Sequence, residues 1–309
     1  MLVLASKKLG NSCIEKFKSI GLDVIFEEEC TEEDLLHIDI WVTYLGFEKF
    51  DISKMKNLKY IHTTSTGFNQ VPIDYVSDNN IILSNNKSGY SIPMAESIIM
   101  YILQIHKNSY KMFEQQRNKK WKLDMSWTEL SGKRIGFVGT GNISKETAKR
   151  LKCFDVEIWG VNTDGREIEN FDRCFSLDNS DKFFSECDIV IGIMPATEKT
   201  YKIINKEKFD LMKNGSIFMN IGRGNIVNQK DLINCIDKFK GVVLDVFEEE
   251  PLPVESELWD FDNVIITPHN SWVSDKNKLR LENTLYENLS EFVKKGKPKY
   301  QVVNLKKGY

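Results

Sequence analysis

Short apolar runs rich in β-branched residues recur along the 309-residue chain with helical patterns between them, and this alternation leaves few architectures open. The first runs are Leu2 to Leu4, Val24 to Phe26, Ile40 to Tyr44, Tyr60 to His62 and Ile81 to Leu83. Parallel strands cannot be joined by tight turns, so strands that alternate with helices form a parallel sheet with helices on its faces. The opening quarter of the chain is therefore expected to be one α/β unit.

From Ile92 to about Arg117 the pattern becomes helical, with Ala95, Ile98, Ile99, Ile102 and Leu103 on one stripe. One long helix linking two domains is expected there. The alternation then restarts through Arg134 to Val138, Val156 to Val161, Asp188 to Met194, Ser216 to Ile221, Gly241 to Phe247 and Val264 to Thr267. At least six ordered strands predict a doubly wound sheet. Asn277 to Lys294 reads as a last helix, closed by Gly296-Lys-Pro298 before the apolar pair Val302-Val303.

Composition narrows the function. The 42 basic and 45 acidic side chains give a net charge of -3 without a basic tract, so neither nucleic acid nor an anionic membrane is an expected partner. Met1 to Ala5 is too short for a signal peptide and no run is long enough to span a bilayer, so a cytoplasmic protein is expected. The six cysteines, Cys13, Cys30, Cys153, Cys174, Cys187 and Cys235, form no CxxC pair or ligand spacing and read as reduced small hydrophobes. Neither zinc nor any other metal is indicated.

Between a strand and a helix lies Ile135-Gly-Phe-Val-Gly139-Thr-Gly141-Asn-Ile-Ser144. Gly139 permits the tight turn, Gly141 lets backbone approach a pyrophosphate, and the N–H groups opening the helix meet its charge. The third glycine of GxGxxG is Ser144, small enough to keep helix and sheet close. The bland alternative is an ordinary strand-to-helix turn, which the flanking strands argue against. The following strand ends at Asn162, where a ribose-binding acid is usual, and Arg166 in Thr163-Asp-Gly-Arg166 suits a 2′-phosphate. This tilts the cofactor toward NADP over NAD, with Asp164 contesting the same site.

Reduction of a 2-oxo acid needs a cation for the carboxylate, an acid for the carbonyl oxygen and a partner for that acid. Arg223 follows an apolar strand in Asn220-Ile-Gly-Arg-Gly224. His269 follows Val264-Ile-Ile-Thr-Pro268, delivered to the sheet edge where open α/β sheets bind ligands. Imidazole changes protonation near neutral pH, which suits a proton donor. His62 also ends a strand and is the reserve candidate; His37 and His106 lie in helical patterns. The acidic run Glu248-Glu-Glu250-Pro251 follows a strand, and Asp245 lies inside that strand, where a carboxylate needs a specific partner.

Together these segments resemble the D-isomer-specific 2-hydroxyacid dehydrogenase family, which includes glyoxylate/hydroxypyruvate reductases and phosphoglycerate dehydrogenases. The matching motifs are Gly139 to Ser144, Asn220 to Gly224, Leu244 to Leu252 and Thr267 to His269, and the likeness runs from about Tyr60 onward. The resemblance implies that Arg223 orients the substrate, His269 is the acid/base and Glu250 tunes it. It assigns Asp245 and the loop Pro195 to Thr200 to the nicotinamide side, and gives Ser65, Thr66 and Gly67 the substrate carboxylate through backbone N–H groups. Residues expected to meet NAD(P)H are thus Gly139, Gly141, Asn142, Ile143, Asn162, Thr163, Arg166, Pro195, Thr200, Ile221, Gly222, Asp245 and Ser271. The implied architecture is a Rossmann-type cofactor domain, 91–274, inserted into a smaller flavodoxin-like substrate domain, 1–90 with 275–309. A homodimer is implied, with the helix from Ile92 and the segment Trp121 to Trp127 as its contact surface.

Two other readings compete. A dinucleotide-sensing scaffold of the same fold, such as a corepressor, would keep the glycine turn with little turnover. A glycine-loop methyltransferase would leave Arg223, Glu250 and His269 without work.

Overall fold

The computed structural model describes residues 1–68, 70–300, 302 and 303. Contacts divide the chain into two compact units, Met1–Tyr90 with the chain from Ser274 onward, and Ser91–Val273.

The first unit holds a five-stranded sheet: β1 (Leu2–Ala5), β2 (Asp23–Phe26), β3 (Ile40–Thr43), β4 (Tyr60–Thr63) and β5 (Ile82–Ser84), in spatial order β2-β1-β3-β4-β5. All pairs are parallel, the order of flavodoxin-like sheets. β3 and β4 are buried at every position, as strands covered on both faces must be. The helix Asn277–Lys295 lays Leu285, Leu289 and Phe292 on one face, where Phe292 stacks on Tyr60 with ring centroids 4.8 Å apart. Gly296, at φ 71°, ends that helix, and Val302 returns to bridge Ser84.

The second unit holds seven parallel strands: β6 (Arg134–Val138), β7 (Glu157–Asn162), β8 (Arg173–Ser176), β9 (Ile189–Gly192), β10 (Ile217–Asn220), β11 (Gly241–Leu244) and β12 (Val264–Ile266). Their order, β12-β11-β10-β9-β6-β7-β8, is doubly wound with the chain reversing direction between β6 and β9. Alternation along each strand splits the core: Ile189, Ile191, Ile217 and Met219 enter one cluster, Val190 and Phe218 the other.

One sequence expectation is corrected. The helix from Ile92 to Arg117 is two helices, Ser91–His106 and Ser109–Arg117, because Asn108 is left-handed at φ 46° and its side-chain amide is held by Asp124 and Ser126. His106 instead gives its carbonyl to the N–H of Thr128. The expectation of at least six strands in the second sheet holds, with seven strands including the edge strand β8.

Candidate active site

The carboxyl edge of the second sheet is level. Register pairs Val138 with Gly192, Gly192 with Asn220, Asn220 with Leu244 and Leu244 with Ile266. One row of residues thus crosses five strands, and the loops that follow it carry Gly139, Pro195, Arg223, Glu250 and His269. Four strand spacings make this edge roughly 19 Å long, enough for one extended ligand.

At the β6 end Gly139 has φ 107°, and a Cβ there would lie 2.8 Å from the carbonyl oxygen of Ile193, so only glycine serves. Ser144 is fully buried, and its hydroxyl donates to the Gly139 carbonyl at 2.6 Å, tying the helix Asn142–Leu151 to the turn. That helix has Gly141 as its N-cap with no side-chain cap, and a Cβ on Gly141 would meet nothing within 4 Å. Neither backbone conformation nor packing demands glycine at 141, whereas close approach of a phosphate does. Ile221 and Gly222 are buried beside this turn: a Cβ on Gly222 would lie 3.1 Å from Ile193 and Met194.

At β7 the predicted ribose-side residues form their own network. Asn162 donates its amide to the Arg166 carbonyl at 2.9 Å, and Arg166 pairs with Asp164 at 2.6 Å. That guanidinium holds the Asp164 carboxyl below the usual carboxylate range. In the loop after β9, Thr200 turns inward, donating to the Pro195 carbonyl at 2.7 Å and accepting from the Thr197 N–H. Its hydroxyl shapes the loop.

Arg223 sits in a turn closed by Asn220, whose buried side chain donates to the Arg223 carbonyl at 3.0 Å and accepts from the Gly222 N–H. The Arg223 guanidinium donates to the Gly222 carbonyl at 2.8 Å. Gly224 lets this turn lie against the next loop: a Cβ there would be 1.6 Å from the carbonyl oxygen of Phe247.

Asp245, 1% exposed, explains its own burial. Its Oδ1 accepts from the Thr267 hydroxyl at 2.7 Å and the Asn270 N–H at 3.0 Å, and both oxygens face the Ser271 N–H. The carboxylate is thus the knot of the turn that carries His269. His269 itself is left-handed, φ 50°, with its N–H shared between the Asp245 and Thr267 carbonyls and its own carbonyl accepting from the Trp272 indole at 2.8 Å. Its Nδ1 lies 2.8 Å from Glu250 Oε2, while Glu250 Oε1 accepts from the Phe247 N–H at 3.0 Å. A carboxylate only accepts, so Nδ1 carries a hydrogen and Nε2 is left for chemistry.

The sequence pointed to Arg223, Glu250 and His269, and to Asn220 only as the start of a motif, but not to the contacts by which Asn220 and Trp272 hold these turns, which leave no local spacing. The reserve candidate His62 is fully buried with Nδ1 on the Thr63 carbonyl at 3.0 Å, and burial lowers its pKa to about 4. Ser65, Thr66 and Gly67 lie in the other unit after β4. There Ser65 donates its hydroxyl to the Gly67 carbonyl at 2.6 Å, and Asn85 donates to the Thr66 carbonyl. Among the described residues the N–H groups of Thr66 and Gly67 meet no acceptor.

The residues present fit a dinucleotide. Gly141 leaves open space at an uncapped helix start, and the buried Ser271 hydroxyl, beside the Asp245 knot, has no hydrogen-bond partner among the described residues.

Residues 99–271 match the model of the D-isomer specific 2-hydroxyacid dehydrogenase, NAD binding domain. A glyoxylate reductase of Thermofilum pendens is 32% identical over 248 residues, which are 77% of this chain and 73% of that one. A glyoxylate/hydroxypyruvate reductase B of an Enterobacter species is 28% identical over 269 residues, 82% of each chain. The solved structure of a D-isomer specific 2-hydroxyacid dehydrogenase family protein from Aeromonas salmonicida superposes with a TM-score of 0.81 at 27% identity, covering 98% of both chains. On these matches the chain belongs to the D-isomer specific 2-hydroxyacid dehydrogenase family.

Proposed function

We propose that the protein reduces a small 2-oxo acid to its 2-hydroxy acid with NAD(P)H, or runs the reverse oxidation. The observation that carries this reading is the pairing of His269 with Glu250 at 2.8 Å on the same sheet edge as the Gly139 turn and Arg223. The bound nicotinamide supplies or receives the hydride. Gly139, Gly141 and the N–H groups of Asn142 and Ile143 hold the pyrophosphate. Asn162, Thr163 and Arg166 face the adenosine ribose, and the Pro195 to Thr200 loop, Ile221, Gly222, Asp245 and Ser271 border the nicotinamide. Among the described residues Asp245 Oδ2 takes one hydrogen bond, from the Ser271 N–H, and keeps capacity for another donor.

The fork of Arg223 suits the substrate carboxylate. Protonated His269 hands the Nε2 proton to the carbonyl oxygen as C2 becomes tetrahedral, and Glu250 keeps the ring oriented throughout. By the resemblance, Ser65, Thr66 and Gly67 are assigned the substrate carboxylate through backbone N–H groups. The 1–90 and 275–309 segments are accordingly the substrate domain, and 91–274 the cofactor domain.

Arg166 favours NADPH, opposed by Asp164. Phe113, Trp121, Leu123 and Met125 are left exposed, Trp121 fully, which supports a homodimer through that surface. All six cysteines are unpaired, which suits the reducing cytoplasm.

The test follows reduced-nicotinamide absorbance with glyoxylate, hydroxypyruvate, pyruvate and 2-oxoisocaproate, each with NADH and with NADPH. Turnover of at least one acid is expected, falling by a hundredfold or more in His269→Ala, on the order of what general acid catalysis supplies. Tight nucleotide binding with no turnover of any 2-oxo acid would refute it, as would near-wild-type turnover by His269→Ala.

A further inference from the structure

At the opposite edge of the second sheet, three half-buried lysines gather where no carboxylate pairs with them. Lys133 immediately precedes β6 and Lys240 immediately precedes β11, so both stand at amino ends of strands, and Lys107 follows the helix Ser91–His106. Lys107 Nζ donates to the Thr128 carbonyl at 3.1 Å, and Lys240 Nζ donates to the Thr128 hydroxyl. The same hydroxyl meets His106 Nδ1 at 2.7 Å. Because that hydroxyl accepts from an ammonium, its own hydrogen is free to go to Nδ1, which leaves the ring hydrogen on Nε2. His106 is 4% exposed, and its Nε2 has no partner among the described residues.

We propose that Lys107, Lys133 and Lys240, with Thr128 and His106, form a binding site for a phosphate-type oxyanion, either free phosphate or the phosphoryl group of a metabolite. Among the described residues none of the three lysines has a carboxylate within ion-pair distance, although most other partly buried cations of this chain do. Asp188 accepts from Lys213 at 2.9 Å and from the Arg134 N–H at 2.8 Å, and Asp124 serves Ser126 and Asn108. The end of the helix Ser91–His106 contributes only about half a negative charge, and Asp188, which acts on His106 and Lys133 as well as on Lys213, offsets at most one more, so a surplus of more than one positive charge remains. Burial, then the neighbouring Lys133 and Lys107, push the Lys240 ammonium below its ordinary range, and burial followed by Lys240, Lys133 and Lys107 takes His106 to about 4. An oxyanion reverses that repulsion and supplies an acceptor for the ammonium donors.

The test titrates inorganic phosphate, and separately glycerol 3-phosphate, into the full-length protein saturated with dinucleotide, at an ionic strength held constant with chloride. Thermal denaturation and calorimetry are followed. A saturable rise in Tm and a measurable heat are expected, retained in Arg223→Gln, which removes the guanidinium of the opposite edge. Lys240→Gln and Lys133→Gln should each weaken binding about tenfold, the scale of one charge-assisted hydrogen bond. Tighter binding of the ester than of phosphate assigns the site to a metabolite, and equal binding to the free ion. Equal Tm in phosphate and chloride overturns the proposal. So does an unchanged phosphate response in Lys133→Gln/Lys240→Gln, and so does a loss of dimer in that variant without any phosphate effect, which would assign the lysines to a second copy of the chain.

Discussion

Glu250 divides one carboxylate between His269 and Phe247: Oε2 lies 2.8 Å from the imidazole Nδ1, and Oε1 takes the backbone N–H of Phe247 at 3.0 Å. The second bond fixes the carboxylate so that the first is directional. In Glu250→Gln the Phe247 N–H selects the amide oxygen, which turns the NH2 group toward Nδ1. Two donors then face each other whenever the ring is cationic. The variant should fold with an unchanged Tm and bind dinucleotide normally, while kcat falls by roughly 10²-fold or more. Wild-type kcat in Glu250→Gln would separate Glu250 from the chemistry.

Gly224 links the arginine turn to that same carboxylate. A methyl group at 224 would sit 1.6 Å from the Phe247 carbonyl oxygen, a backbone atom that moves only with its loop. Gly224→Ala should therefore cost about 1–3 kcal/mol of stability, as overpacking does. Displacing Phe247 also displaces the N–H that aims Glu250, so kcat should fall further than in any surface variant of equal stability. Denaturant unfolding beside steady-state kinetics checks both effects.

Nucleotide choice turns on an exposed pair. Asp164 and Arg166 meet at 2.6 Å with 60% and 54% of their side chains in solvent, so little free energy holds them together. Arg166→Ala should move the NADPH/NADH ratio of kcat/KM about tenfold toward NADH, the value of one charge-assisted contact. Asp164→Asn frees the guanidinium and should move the ratio the other way. A ratio unmoved by either substitution removes this loop from cofactor selection.

Most of this fold was legible because parallel strands buried on both faces must be continuously apolar. β3, β9, β10 and β11 advertise themselves. β8 did not: Arg-Cys-Phe-Ser buries Phe175 alone, as an edge strand can. The helix break at Asn108 was hidden because asparagine is an ordinary helix-surface residue until Asp124 and Ser126 hold its amide. Arg223 and His269 were visible as polar residues at strand ends, and Glu250 was picked out of its acidic run by the family resemblance. The contacts that aim them were not. Trp272 on the His269 carbonyl and Asn220 on Arg223 are consequences of turn geometry, and Lys240 reaches Thr128 across 112 residues of sequence to meet Lys107 there.

Acid should weaken the protein before its carboxylates protonate. His62 and His106 are both almost completely buried, and burial is the largest cause that lowers each to about 4. In the unfolded chain each titrates near 6.5. Between those values the unfolded state binds more protons than the folded one, so stability is fully present above about 6.5 and is lost as pH falls toward 4. Each histidine accounts for a few kcal/mol at most, roughly 1.4 kcal/mol per unit of displacement. Carboxyls such as Asp39, Asp172 and Asp188, held below their ordinary range by lysine and backbone N–H partners against the cost of burial, weaken only at lower pH. Urea midpoints should therefore drop between pH 6.5 and 4.5 in the wild-type protein. His106→Gln, which keeps a side-chain amide within reach of Thr128, should flatten that slope; an equally steep slope in His106→Gln and His62→Gln would assign the acid loss to other groups.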